Sequence, residues 1–236
     1  GVAKADSIVD SAMLEHCLRE DLNAKAYRMC AVLDPIKLVI ENWPEDREEI
    51  VELENLPACD AAGKRGVAFG RELYIERDDF SYDPPKKYFR PKPDGEVRLK
   101  GAYIVKCTRY DADENGRVTT VYCTYDPDTT SGECERKVKG TIHWVPVLDA
   151  VPAQFRLYDQ LMVCEDVSAD DFIDKLNPES KTIVNGFVEP YLASAKSGDK
   201  FQFMRIGYFC VDPDSTDGNL VFNRTVGLKD GYKPQQ

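Results

Sequence analysis

Long hydrophobic runs are missing from this sequence. Nothing approaches the ~18 consecutive apolar residues of a membrane-spanning helix, so no membrane partner is expected. The opening residues, GVAKADSIVD, carry neither a Met nor a basic-then-apolar leader, as expected of a piece of a longer or processed protein. Histidine is scarce, with only His16 and His143. Cys17, Cys30, Cys59, Cys107, Cys123, Cys134, Cys164 and Cys210 stand at least 11 residues apart, with no C-x-x-C. A zinc site would need ligands gathered from distant segments, and no metal is expected. The even cysteine count leaves a disulfide framework open. A chain of 236 residues can nevertheless build a core without one, and free buried thiols in the cytoplasm are the expectation. Basic charge is short too, 31 Lys and Arg against 42 Asp and Glu for a net charge of −11, which excludes a histone-like binder. Composition also excludes collagen and coiled coil. Finally, there is no G-x-x-x-x-G-K-[ST], G-x-G-x-x-G, G-x-S-x-G or H-E-x-x-H, so no ATP or dinucleotide cradle is visible.

What is present is mostly strand. Aromatics make up 10% of the chain, too many for a disordered acidic polymer. Residues 6–22 read as one amphipathic helix, with apolar positions at 8, 9, 13, 14, 17 and 18 and Asp6 or Ser7 as cap. From about residue 30, short β-rich runs alternate with Pro, Gly, Asp and Asn clusters, the pattern of an all-β barrel or sandwich. The run 97–107 places Val97, Leu99, Tyr103, Val105 and Cys107 on one face, and it should pair with 117–125 as a hairpin. Residues 136–145 alternate as well, with His143 on the polar face beside Lys137 and Lys139. Further strands are expected at 67–75, 201–211 and 219–227, and short helices at 168–176 and 189–196. The acidic segment PEDREE reads as a solvated surface, and no internal repeat is detectable.

The acidic composition has one exception. Residues 86–109 hold eight Lys or Arg against Asp94 and Glu96, a local balance of +6, with Tyr88, Phe89 and Tyr103 interleaved. Bases stack on aromatic faces while Lys and Arg neutralise phosphates, so this mixture suits unpaired nucleic acid. A solvated cationic strand face is the other reading, and the stretch alone does not choose between them.

Longer motifs do. REDLN (19–23), YRMCAVLDPIKLVIEN (27–42), YFR (88–90), VRLKGAYIVK (97–106), CTYD (123–126), KVKGTIHWV (137–145), RLYD (156–159), NPES (177–180), FQFMRIGYFC (201–210) and FNRTVGLKD (222–230) stand in an order that resembles the C-terminal anticodon-binding region of bacterial-type glutaminyl-tRNA synthetases, class I enzymes. The resemblance runs from about residue 7 to 231. It implies a mainly β fold of two anticodon-binding barrels, of a kind shared with a ribosomal protein that binds 5S RNA. Residues 1–26 would be a helical segment linking to a catalytic Rossmann domain outside this sequence, 27–130 a proximal barrel and 131–236 a distal one, with the last strands returning to the proximal barrel. ATP and Mg would belong to that catalytic domain, leaving no cofactor in this chain.

The resemblance also implies roles. Arg28 and Gln202 match positions that read the middle anticodon base, uracil, whose edge suits an amide able to donate and accept. Arg90 and Arg205 match positions linked to the third base, guanine, whose O6 and N7 suit a guanidinium. Arg98 and Lys100 match basic positions near the first base. Lys87, Tyr88, Phe89 and Tyr103 are candidates for stacking or phosphate contacts. Lys100 stands where relatives carry Arg, losing the two-pronged donor, and Gly101 where they carry Asn. Gln202 and Arg205 differ in parity, so a regular strand would point them apart; a bulge or a strand end must intervene. The expected partner is tRNA(Gln), with no DNA partner and a monomeric chain. Alternatives are a glutamyl-tRNA synthetase of the archaeal or eukaryotic type, a ribosomal RNA binder with the same barrel, which should be basic, and a protein-interaction module using the acidic face.

Overall fold

Alternating apolar and polar residues build sixteen strands, with one α-helix, among the described residues of the computed structural model, which are 11–45, 47–57, 59–163 and 172–229. After α1 (Ser11–Lys25) come β1 (Tyr27–Met29), β2 (Ala31–Val32), β3 (Pro35–Ile40), β4 (Glu49–Glu54), β5 (Lys64–Phe69) and β6 (Glu72–Glu76). Then follow β7 (Glu96–Leu99), β8 (Ile104–Ala112), β9 (Val118–Asp126), β10 (Thr141–Ile142) and β11 (Val145–Pro146). The remaining strands are β12 (Val151–Tyr158), β13 (Lys181–Val188), β14 (Lys200–Phe203), β15 (Gly207–Val211) and β16 (Leu220–Gly227).

Two seven-stranded mixed sheets result, ordered β1-β14-β15-β16-β12-β13-β2 and β10-β7-β8-β9-β3-β6-β11, with β4–β5 as a separate pair. The two edge strands of each sheet are neighbours in the chain, so each sheet curls back on itself as a barrel. The first sheet carries α1 beside β14 and β16, with Leu22 and Ala26 packed on Tyr208 of β15 and Val226 of β16; we call it the helix-side barrel. The second lies between β2 and β12 in the chain and is the inserted barrel.

The two barrels are one design. Read across, each sheet pairs its strands parallel, antiparallel, antiparallel, parallel, antiparallel, antiparallel. The chain is therefore a tandem repeat, β1–β9 and β10–β16, in which each half lends its first two strands to the other half's barrel. Backbone hydrogen bonds repeat at equivalent places: Lys100 N donates to Ile142 O (2.9 Å) as Met204 N does to Met29 O (3.0 Å). Gly101 and Arg205 then occupy the same left-handed turn position, with φ of 72° and 69°. Residues 92–107 and 196–211 share only their first lysine, which is why the repeat is silent in the sequence.

This exchange corrects the expected division at residue 130. Strands β10 and β11, beyond that boundary, belong to the inserted barrel, and β1 and β2, before it, belong to the other. Alternation says which face of a strand is buried, not which sheet the strand joins. Other expectations are refined. The helix runs on to Lys25, and its expected start at residue 6 lies outside the described residues. The run 97–107 keeps its buried face but is broken by a turn between β7 and β8. The runs 67–75 and 201–211 are likewise each two strands, and 136–145 supplies only β10 and β11. Of the hairpin expected between 97–107 and 117–125, the part from Ile104 onward pairs with β9, as 104–112 with 118–126, whereas 96–98 pairs with the start of β8 instead. Of the two short helices, the described parts are 3-10 turns at Phe172–Lys175 and Pro190–Ser194; Ser168 lies outside the described residues.

Each barrel has its own aromatic core: Trp43, Phe69, Tyr103, Tyr125 and Trp144 in the inserted barrel, and Phe155, Phe203, Phe209 and Phe222 in the other. Burying one such ring is worth about 2–3 kcal/mol. Cys30, Cys107 and Cys123 are buried free thiols, whereas Cys17 is exposed and Cys59, Cys134 and Cys210 are partly exposed. Between the barrels, Tyr74 stacks on Phe187 at 4.3 Å, and buried Arg65 pairs with buried Glu189. Glu189 also accepts from the backbone N–H of Cys30 at 2.9 Å.

Candidate nucleic-acid interface

The clearest charged site lies where turns from both barrels meet. Strand β14 ends at Phe203, and the chain turns through Arg205 in left-handed backbone before β15. This strand end settles the parity of Gln202 and Arg205: a turn, not a continuous strand, separates them. From the inserted barrel, β6 ends in a 3-10 turn, Arg77–Asp79, that buries the Asp79 carboxylate at 1% exposure. Arg205 donates to it through both terminal nitrogens, Nη1 to Oδ2 at 2.7 Å and Nη2 to Oδ1 at 2.5 Å. Arg90 approaches the same carboxylate, Nη1 to Oδ1 at 3.3 Å, and donates to the Asp78 carbonyl at 3.2 Å. The Tyr88 hydroxyl donates to the Asp79 carbonyl at 2.8 Å, and burial raises that phenol's pKa.

His143 lies beneath this cluster, not on a polar face as expected. It is 2% exposed, with Nδ1 3.4 Å from Arg205 Nη1. Burial, then the charge of Arg205, pushes its pKa down to about 4, so the ring is neutral at pH 7. Its Nε2 has no hydrogen-bond partner among the described residues, with Glu76 Oε1 at 3.9 Å. Glu76 itself is pushed up by burial, against two backbone N–H donors, Leu33 and Asp34.

Two clefts open from the cluster and share Arg205 and His143. One, of about 330 Å³, has Arg90, Asp79 and Glu76 on its walls together with Leu157 and Val184. The other, of about 310 Å³, is lined by Lys100, Thr141, Ile142, Gln202 and Met204. Four of the six residues expected to read bases, Arg90, Arg205, Gln202 and Lys100, therefore surround one region. Lys100 sits exposed in the β7–β8 turn, its backbone held by Ile142 and by the indole N–H of Trp144.

The other two are turned elsewhere. Arg28 is in register with Gln202, but its guanidinium donates to Ala26 O (2.6 Å), Asn23 O (2.8 Å) and Asn23 Oδ1 (2.7 Å). It closes the C-terminal end of α1, where free carbonyls favour a cation. Arg98 donates to three carbonyls, of Ala102, Thr129 and Arg136, at 3.3, 2.8 and 3.1 Å, and so fastens the loop after β9. Among the stacking candidates, Tyr103 is corrected. It is 3% exposed in the inserted core, and its hydroxyl donates to Glu49 at 2.8 Å, leaving no face for a base. Glu49 correspondingly lies half-buried within a segment expected to be solvated. Phe89 is 45% exposed with Lys139 Nζ 5.0 Å from its ring centre, and Lys87 is exposed at a φ of 66°.

Asp79 escaped the sequence reading, because one aspartate in the run RDDF carries no mark of burial. His143 stands in a quoted motif, but 136–145 is not one continuous strand, so alternation across it misplaces the ring. Among the described residues, no group of His, Cys, Asp or Glu is arranged to hold a metal, and no helix is long and apolar enough to cross a membrane.

Two family models match the chain, both described as the anticodon-binding domain of class I tRNA synthetases (E and Q), over residues 26–126 and 141–212. Those starts coincide with the strand pairs that open the two structural halves. Curated relatives are glutamine–tRNA ligases: that of Clostridium perfringens is 57% identical over 99% of this chain, that of Clostridioides difficile 51% over 99%, and that of Idiomarina loihiensis 48% over 98%. The chain spans 43%, 43% and 42% of those relatives' lengths.

Proposed function

The chain belongs to the family of anticodon-binding domains of class I tRNA synthetases for glutamate and glutamine, and from that membership we propose that it grips the anticodon loop of tRNA(Gln) as part of a glutamine–tRNA ligase. The observation that carries the reading is the meeting of Arg90, Arg205, Gln202 and Lys100 around paired clefts between the barrels. The Gln202 amide suits a uracil edge, because it donates and accepts side by side. Two of Arg205's five N–H donors are committed to Asp79, which leaves the Nε side to meet a guanine's O6 and N7. Lys100 and Arg90 supply positive charge for phosphates or for the first and third bases.

The whole enzyme would join glutamine to tRNA(Gln) with ATP and Mg, as a monomer in the cytoplasm. Among the described residues no strand leads through a glycine-rich turn into a helix. In this reading ATP is bound by the part of the relatives' length that this chain does not span. A net charge of −11 disfavours the ribosomal alternative, which would meet a long polyanion over a broad surface.

The test is binding of the 236-residue chain to a glutamine anticodon stem-loop and to loops with the middle U or third G replaced, at two salt concentrations. Preference for the cognate loop that persists at higher salt is expected. Arg205→Ala should cost about 1–3 kcal/mol with a third-base G and little with other bases. Equal binding to all loops, collapsing with salt, would sink the reading.

A further inference from the structure

We propose that Asp79 is the positioning residue of this interface: its buried carboxylate aims Arg205 and Arg90 from opposite barrels at a single base edge. This rests on the anticodon reading above. The geometry is specific. Arg205 sits in a left-handed turn at the tip of the β14–β15 hairpin, where nothing in its own barrel accepts a hydrogen bond from its guanidinium among the described residues. Asp79 comes from the inserted barrel and is 1% exposed, so it cannot turn to water. Its two oxygens take the end-on pair of Arg205 donors, and Oδ1 also faces Arg90 Nη1. A guanidinium held end-on by a carboxylate presents its Nε–H and the second Nη2–H as a parallel side-on fork, the form that matches O6 and N7 of guanine. An unheld arginine would sample several rotamers and lose that alignment on most encounters.

The carboxylate is itself held. Asp79 lies in a 3-10 turn whose carbonyls anchor Tyr88, and its neighbour's carbonyl accepts from Arg90, so the stretch 88–90 and the turn 77–79 brace each other. His143, neutral and buried, fills the space under Arg205 without competing for its charge. Third-base reading thus depends on a group that touches no base.

Asp79→Asn separates this role from general support. Asn offers one acceptor in place of two and sets an N–H against a guanidinium N–H. In the stem-loop assay the variant should lose about tenfold of its preference for third-base G over A. Its preference for a middle U should be unchanged, which also reports that the variant is folded. Asp79→Glu, which keeps the charge at a longer reach, should recover part of the preference. In a double-mutant cycle, Asp79→Asn should add nothing further to the third-base loss of Arg205→Ala. Equal weakening toward every loop, or additivity with Arg205→Ala, would overturn the assignment and leave Asp79 a support of the fold. If the unsubstituted chain shows no third-base preference, the anticodon reading itself fails and this assignment with it. A preference that Asp79→Asn retains in full removes this assignment alone.

Discussion

At the scale of single residues, the consequential feature is a histidine kept neutral between two barrels. His143 titrates near 4 when folded, against about 6.5 in an unfolded chain, because burial and the Arg205 charge disfavour its cation. Between those values the unfolded chain binds a proton that the folded chain refuses. Stability from this residue is therefore complete above about pH 6.5 and is lost as the pH falls toward 4, by up to about 3 kcal/mol. Glu76 works the other way, since burial raises its carboxyl, but that contribution is common to wild type and a His143 variant. Unfolding midpoints at pH 7 and pH 5 should converge more closely for His143→Gln than for the unsubstituted chain. The same acid sensitivity in both would rule the histidine out as its source. Residue roles also show why matching a motif does not locate a side chain. Arg28, Arg98 and Tyr103 stand in the quoted motifs, yet backbone carbonyls hold the first two and the core holds the third.

At the scale of elements, two turns occupy equivalent places in the repeat and solve the same backbone problem differently. The β7–β8 turn uses Gly101, and the β14–β15 turn uses Arg205, at nearly the same positive φ. Arginine tolerates that conformation at a cost of about 1–2 kcal/mol, which the Asp79 pair offsets. Gly101 has no such freedom, because a Cβ there would lie 2.3 Å from Leu53 of the β4–β5 hairpin. Gly116, with φ of 76°, has open space around it. In urea titrations, Gly101→Ala should lower the unfolding free energy by the backbone cost plus a packing cost of about 1–3 kcal/mol, and Gly116→Ala by the backbone cost alone, with midpoints shifted to match. Matching midpoints for the two variants would mean that Leu53 of β4, although buried in the inserted barrel's core, yields freely. The alternation of apolar residues made these strands legible, and the Gly, Pro and Asp clusters marked their breaks. The β7 and β14 turns stayed hidden because the buried parity continues across the first, and no glycine marks the turn in the second.

At the scale of the whole molecule, strand exchange makes the barrels one cooperative body. Neither half, 27–126 or 141–227, contains all strands of either barrel, and Arg65–Glu189, Tyr74–Phe187 and Arg205–Asp79 cross between them. Calorimetry of the chain should give a single transition with matching calorimetric and van't Hoff enthalpies, and residues 27–126 alone should not fold. Two resolved transitions would show the barrels to be independent. The amino-acid sequence by itself determined the local layer: which faces are apolar, where turns fall, that one stretch is basic inside an acidic chain, and which motifs tie it to its family. Only the tertiary structure decided which barrel each strand completes, that a lone buried aspartate meets two arginines, and that His143 is buried. The reason is physical. Alternation and turn chemistry are written in neighbouring side chains, whereas strand pairing joins main-chain groups that are alike in every residue and is settled by the closure of each barrel across more than a hundred residues.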